Sequence, residues 1–259
     1  MRASGRKAMA SLAMTALLSA WSIGSPASAT EAVSDPTLHM VEVSGHRIAF
    51  HVIPGHGPIV VFDAGGGSDS SYWMSVLPQI AKQTGVKLIT YDRAGFGQSD
   101  EVQPPYAIEQ SVLDLEAGLK QLGATKDIIL VAHSFAGEVD TFLAIEHPTW
   151  ILGAVLVDAN VPNFFADEET DHLYKAMPSS IPNTIKQNRT MAALIAAWPK
   201  VNRQFHNAVW PAQIPCTVIA SEQSPRPGTA DADQISSLSL LWKWSLPPSM
   251  GANERSYNA

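Results

Sequence analysis

Between positions 128 and 137 the chain reads Ile128-Ile129-Leu130-Val131-Ala132-His133-Ser134-Phe135-Ala136-Gly137, and few folds accommodate that order. Four aliphatic residues in a row predict a strand covered on both faces. The serine that follows has alanine two positions away on either side, and a helical pattern begins directly after it. A strand that turns into a helix over so few residues needs small neighbours, because the two backbones pass close to each other. The pattern is that of a nucleophile elbow, with Ala132 and Ala136 where glycine is commoner.

The remaining segments set this strand in a repeating frame. Residues 38–43 and 47–52 alternate apolar with polar around Ser44-Gly45 and predict an antiparallel hairpin. Residues 59–62, 87–91, 151–157 and 216–220 are further apolar runs expected to be strands, and the last places Cys216 in the core as a small buried residue. Helices are expected over 72–83 and 135–146. A third is marked by Ile108, Val112, Leu115, Leu119 and Leu122, whose spacing repeats as four and three, with Gly123 as its stop. Strands alternating with helices predict an α/β fold with a mainly parallel sheet. Residues 161–213 break the rhythm with five prolines and several aromatic rings, and read as a helical cap inserted into that sheet.

At the N-terminus Arg2, Arg6 and Lys7 precede an apolar run that ends in Ala27-Ser28-Ala29. This is the pattern of an export signal cleaved after Ala29, which leaves 30–259 as the mature domain and predicts a secreted or periplasmic protein. Its removal takes away three positive charges and no acid, so the formal charge moves from −7 to −10. An acidic domain is a poor partner for nucleic acid or for an anionic membrane surface. A single cysteine permits no internal disulfide, so the core must hold the fold unaided.

Four features in this order resemble the α/β-hydrolase superfamily, in its capped, esterase-like form. They are Asp63-Ala64-Gly65-Gly66-Gly67 after the third strand, Asp92-Arg93-Ala94-Gly95-Phe96-Gly97-Gln98-Ser99 after the fourth, the elbow after the fifth, and the insertion after the sixth. The resemblance implies that Ser134 is the nucleophile of an acyl transfer, activated by a base that a third group orients. It implies an oxyanion hole formed by the backbone N–H of Phe135 and of Gly66, with Gly65 as the neighbouring alternative. It also implies an acid at Asp158, with Glu222 after the seventh strand as the alternative. His133 adjoins the serine but should diverge from it on a tight turn and act as a packing residue. Asp92, Gly95 and Gly97 are assigned to turn structure.

The family's base histidine follows the eighth strand, and no histidine follows His206 in this chain. The expectation is therefore a member that stops short of its last strand and helix, with low thermal stability. His172 and His206 in the cap are the remaining histidines that could reach the serine, while His39, His46, His51 and His56 match no metal-ligand spacing. The activity expected is hydrolysis of a small ester or related acyl substrate with no cofactor. A dehalogenase would want aspartate at position 134. Two rivals stand beside this reading: a catalytically impaired protein that only binds ligand, and an aminopeptidase-like hydrolase in which Asp167, Glu168 and Glu169 anchor a substrate amine.

Overall fold

A computed structural model describes residues 35–162, 170–171, 174–175 and 188–220. The export signal, the acids at 167–169, His172, Glu222 and the expectations about a last strand and helix lie outside the described residues.

Strands β1 (Thr37–Val43) and β2 (His46–Ile53) form the expected hairpin around Ser44 and Gly45, both at positive φ. β3 (Ile59–Asp63), β4 (Lys87–Asp92), β5 (Ile128–His133), β6 (Ile151–Val157) and β7 (Cys216–Ile219) complete a seven-stranded sheet in the order β1-β2-β4-β3-β5-β6-β7. β2 meets β4 antiparallel, and every pairing from β4 to β7 is parallel. This is an α/β fold with a mainly parallel sheet.

Successive side chains on a strand point to opposite faces, and the two faces here bury separate clusters. Val61, Ile89, Tyr91 and Leu130 face one core, where they meet Leu115 and Leu119 of α2 (Ile108–Gln121) and Val139 and Leu143 of α3 (Ala136–Glu146). Phe62, Leu88 and Val131 face the other, against Trp73 and against Leu77, the first residue of α1 (Leu77–Thr84). The helix expected over 72–83 is shorter than that. A single 3₁₀ turn spans Ser70–Tyr72, and the α-helix begins only at Leu77. Pro78 explains the start, since it lacks an N–H and fits the first helical turn, where no donor is needed.

Within the segment expected to be a cap, helix α4 spans Arg189–His206, and Asn188 caps it by accepting from the Met191 N–H at 2.8 Å. The Asn188 amide also donates to the Gly95 carbonyl at 3.0 Å, which ties the helix to the loop after β4. Cys216 is half-buried rather than buried. β7 has β6 on one side only among the described residues, and its residues alternate between exposed and half-buried. No helix among the described residues is long and apolar enough to cross a membrane.

Candidate active site

Parallel pairing brings the loops that matter to one rim. β5 lies between β3 and β6, with Asp63 opposite Ala132 and His133 opposite Val157. The residues just past those pairs are therefore neighbours: Ala64 to Gly66 on one side of Ser134, and Asp158 on the other. Ligand crevices in open parallel sheets form at these carboxyl ends.

Ser134 sits at φ +52, in the left-handed region that L-residues avoid. Two hydrogen bonds hold it there. Its carbonyl accepts from the N–H of Gly137 at 3.0 Å, which starts α3, and from the N–H of Asn160 at 2.9 Å, which ties it to the segment after β6. Glycine at 65 is required by contact: a Cβ there would lie 2.9 Å from His133 Nδ1 and 3.1 Å from the Ser134 Cβ. A Cβ on Gly66 would lie 3.4 Å from the Phe135 Cβ and 3.7 Å from Leu194 of α4. The structure thus brings Gly65, Gly66, Ser134 and Phe135 together.

Asp158 directly follows β6 at φ +44, and its N–H donates to the Ile219 carbonyl at 2.8 Å. His133 stacks on Tyr72 with ring centroids 4.5 Å apart and presents an edge to Trp73. Burial lowers its pKa, and the nearby Asp158 charge acts against that shift. His206 occupies the last turn of α4. Among the described residues no side chain hydrogen-bonds the Ser134 hydroxyl.

The loop after β4 is a structural turn. The Asp92 carboxylate accepts from the N–H of Ser70 at 2.9 Å and of Gln98 at 2.8 Å, with His51 at 3.3 Å. Burial works against its charge, but these bonds outweigh burial and bring its pKa down to about 2. Gly97, at φ +53, leaves room for that carboxylate. Of the N-terminal histidines, His51 lies 3.3 Å from the Asp92 carboxylate and His46 pairs with Asp114 at 3.0 Å.

Sequence reasoning missed a buried polar group beneath the site. Asp63, Arg93, Glu138 and Asp140 are all buried. Arg93 pairs with Asp63, which also accepts from the Tyr91 hydroxyl at 2.8 Å. Burial disfavours the guanidinium charge, yet the charge of Asp63 more than compensates and raises its pKa. One signal was available: an acid ending β3 and an arginine just past the end of the adjacent parallel β4 must lie near each other. Glu138, in the first turn of α3, accepts from the Asn160 amide at 2.8 Å. With its amide turned to donate, Asn202 of α4 also reaches Glu138 Oε1, at 3.2 Å.

Burial raises the Glu138 pKa from 4.5 to about 8, against the opposing effects of Asn160 and Arg93. Burial, then the charge of Asp63, holds Asp140 well above the ordinary carboxylate range. Above pH 4.5 the unfolded chain has lost the Glu138 proton while the folded chain keeps it. Stability is therefore expected to fall between about pH 4.5 and pH 8, by roughly 1.4 kcal/mol per pH unit for this one group. Thermal unfolding at pH 6 and pH 8.5 checks this. Glu138→Gln should remove its own share of the slope and leave the share of Asp140; an unchanged slope would contradict the assignment.

Comparison with known proteins identifies the family. The model of the alpha/beta hydrolase family matches residues 60–249, so the chain belongs to that family. It is 32% identical over 102 residues to the uncharacterised protein YqjL of Bacillus subtilis, covering 39% of this chain and 40% of that one. It is 28% identical over 138 residues to a proline iminopeptidase of Lactobacillus delbrueckii subsp. lactis, covering 51% of this chain and 46% of the relative. The chain thus spans less than half the length of these curated relatives. Among solved structures it resembles a haloalkane dehalogenase from Bradyrhizobium elkani, with TM-score 0.54 and 17% identity over 82% of this chain and 100% of the other. It also resembles an epoxide hydrolase from Vigna radiata, with TM-score 0.52 and 15% identity over 81% of this chain and 87% of the other. At such identities the two structures speak for the fold alone.

Proposed function

We propose that this chain is an exported serine hydrolase that cleaves small esters or related acyl substrates through an acyl-enzyme. The observation that carries the reading is Ser134 at φ +52 on the strand-to-helix turn, with Gly65, Gly66 and Phe135 around it. A serine held in that strained turn projects from the sheet rim toward a substrate. Its hydroxyl attacks the acyl carbon, and the oxyanion that forms is held by the N–H groups of Phe135 and Gly66. Expulsion of the alcohol leaves an ester on Ser134, which water then hydrolyses. Asp158, on the adjacent strand end, is the acid of choice for orienting a base, with Glu222 as the alternative. The base itself is unassigned.

Serine at position 134 argues against the aspartate-nucleophile chemistry of a dehalogenase. Apolar groups frame the oxyanion loop: Leu194 lies beside Gly66, Met191 beside Gly67, and Tyr106 meets the Phe135 ring edge-on. They favour an apolar acyl group. The export reading rests on the basic and apolar segment that ends at Ala29.

p-Nitrophenyl esters from acetate to octanoate, with a proline p-nitroanilide and a chloroalkane alongside, test the reading. Turnover is expected for the short esters only, and it should disappear in Ser134→Ala. Ester turnover that survives that change, or turnover of the anilide or chloroalkane alone, would overturn it. The second reading is a ligand-binding protein without turnover. Saturable binding of a short ester with no release of nitrophenol would identify it.

A further inference from the structure

We propose that Arg93 is a positioning residue for the oxyanion hole, fixing the orientation of the two peptide units that carry its loop donor. The proposal rests on the reading of Ser134 as an acyl-transfer nucleophile.

Arg93 lies just past the end of β4, and its side chain is 2% exposed. From there the guanidinium reaches across to the loop after β3. Nη1 donates to the Gly65 carbonyl at 3.3 Å, and Nη2 donates to the Ala64 carbonyl at 2.5 Å and to the Asp63 carboxylate. A peptide unit is planar and trans, so its C=O and N–H point in opposite directions. The carbonyl of Gly65 belongs to the same unit as the N–H of Gly66, and the carbonyl of Ala64 to the same unit as the N–H of Gly65. Drawing both carbonyls toward one buried cation therefore turns both N–H groups away from it. These are the two candidate loop donors of the oxyanion hole.

The sequence around this loop makes such a tether necessary. Ala64-Gly65-Gly66-Gly67 offers almost no side-chain packing to hold a peptide orientation, and glycine peptides reorient at small cost. The hydrogen bond from the Ser68 N–H to the Gly65 carbonyl, at 3.2 Å, is the one other restraint on that carbonyl among the described residues. Arg93 also lies near the residue that carries the second donor, with its guanidinium carbon 5.4 Å from the centre of the Phe135 ring. Asp63, held in turn by the Tyr91 hydroxyl, fixes the guanidinium plane. The planar fork is essential to the argument. A lysine carries the charge but is a point donor on a flexible stem, and cannot span two carbonyls and a carboxylate in one fixed geometry.

Arg93→Gln and Arg93→Lys in the full chain test the proposal by two readouts. The first is ¹⁵N relaxation with glycine-selective labelling. In both variants the Gly65 and Gly66 amides should go from rigid, with order parameters near 0.85, to flexible, below about 0.6, while Gly118 and Gly137 stay rigid. The second is ester hydrolysis. kcat should fall about 100-fold in Arg93→Gln, the scale of losing one oxyanion donor, with KM changed by less than about three-fold. Arg93→Lys should lie between that variant and the parent. If Arg93→Gln does not fold, Arg93→Lys carries both readouts.

Loop glycines that stay rigid, or glycines that loosen throughout the molecule, would overturn the proposal and leave Arg93 as part of an ordinary buried ion pair. Loss of kcat matched by an equal rise in KM would do the same. If the parent chain shows no Ser134-dependent turnover, the reading of the nucleophile fails; the relaxation measurement still decides whether Arg93 orders the loop.

Discussion

Ser134→Ala is expected to remove at least about 10³-fold of the ester turnover while leaving the fold intact. The size follows from the role: without the hydroxyl no acyl-enzyme forms, and only binding and the oxyanion donors remain to assist water. The effect on stability should be small, because alanine retains the same strained backbone at φ +52. Ser134→Gly separates the two quantities. Glycine adopts the left-handed region without penalty, so this variant should be more stable than the parent by about 1 kcal/mol and equally inactive. A serine held where glycine would be more stable is the mark of a site at which geometry serves chemistry. Thermal unfolding beside a kinetic assay reads both. A Ser134→Gly variant less stable than Ser134→Ala would contradict the account of the turn.

Gly137→Ala is expected to cost about 3 kcal/mol and to disable the site together with the fold. A Cβ at position 137 would stand 2.1 Å from the Asn160 carbonyl oxygen and 3.1 Å from the Ala159 Cβ. The obstructing atom is backbone, so no rotamer change relieves the clash. Either α3 or the segment after β6 must move. That segment carries Asp158, and its Asn160 N–H holds the Ser134 carbonyl, so any displacement reaches the nucleophile. Denaturant unfolding measures the loss directly. A variant within 1 kcal/mol of the parent would mean that α3 approaches β6 less closely than described here.

The parts of this architecture that were legible in the sequence are those set by local pattern. The strand runs, the Ile108 to Leu119 stripe of α2 and the serine turn all follow from spacing that neighbouring residues enforce. The late start of α1 was missed because a hydrophobic pattern extends through 72–77, whereas Pro78 decides where the helix begins. The buried charges were missed for a different reason. Glu138 and Asp140 read as solvent-facing charges, whereas burial keeps both carboxyls protonated well above the ordinary range and the Asn160 amide, distant in sequence, bonds Glu138. Pattern reading assigns charge to water. It sees a compensated interior charge only when both partners have been placed, and that requires the order of β3 and β4 in the sheet.

Intact mass of the full chain before and after a fluorophosphonate probe, with the modified peptide mapped, tests the central claim most directly. A single adduct on Ser134, absent from Ser134→Ala, is the predicted result. A folded chain that takes no adduct, or takes it at another residue, would contradict the assignment of Ser134 as an activated nucleophile.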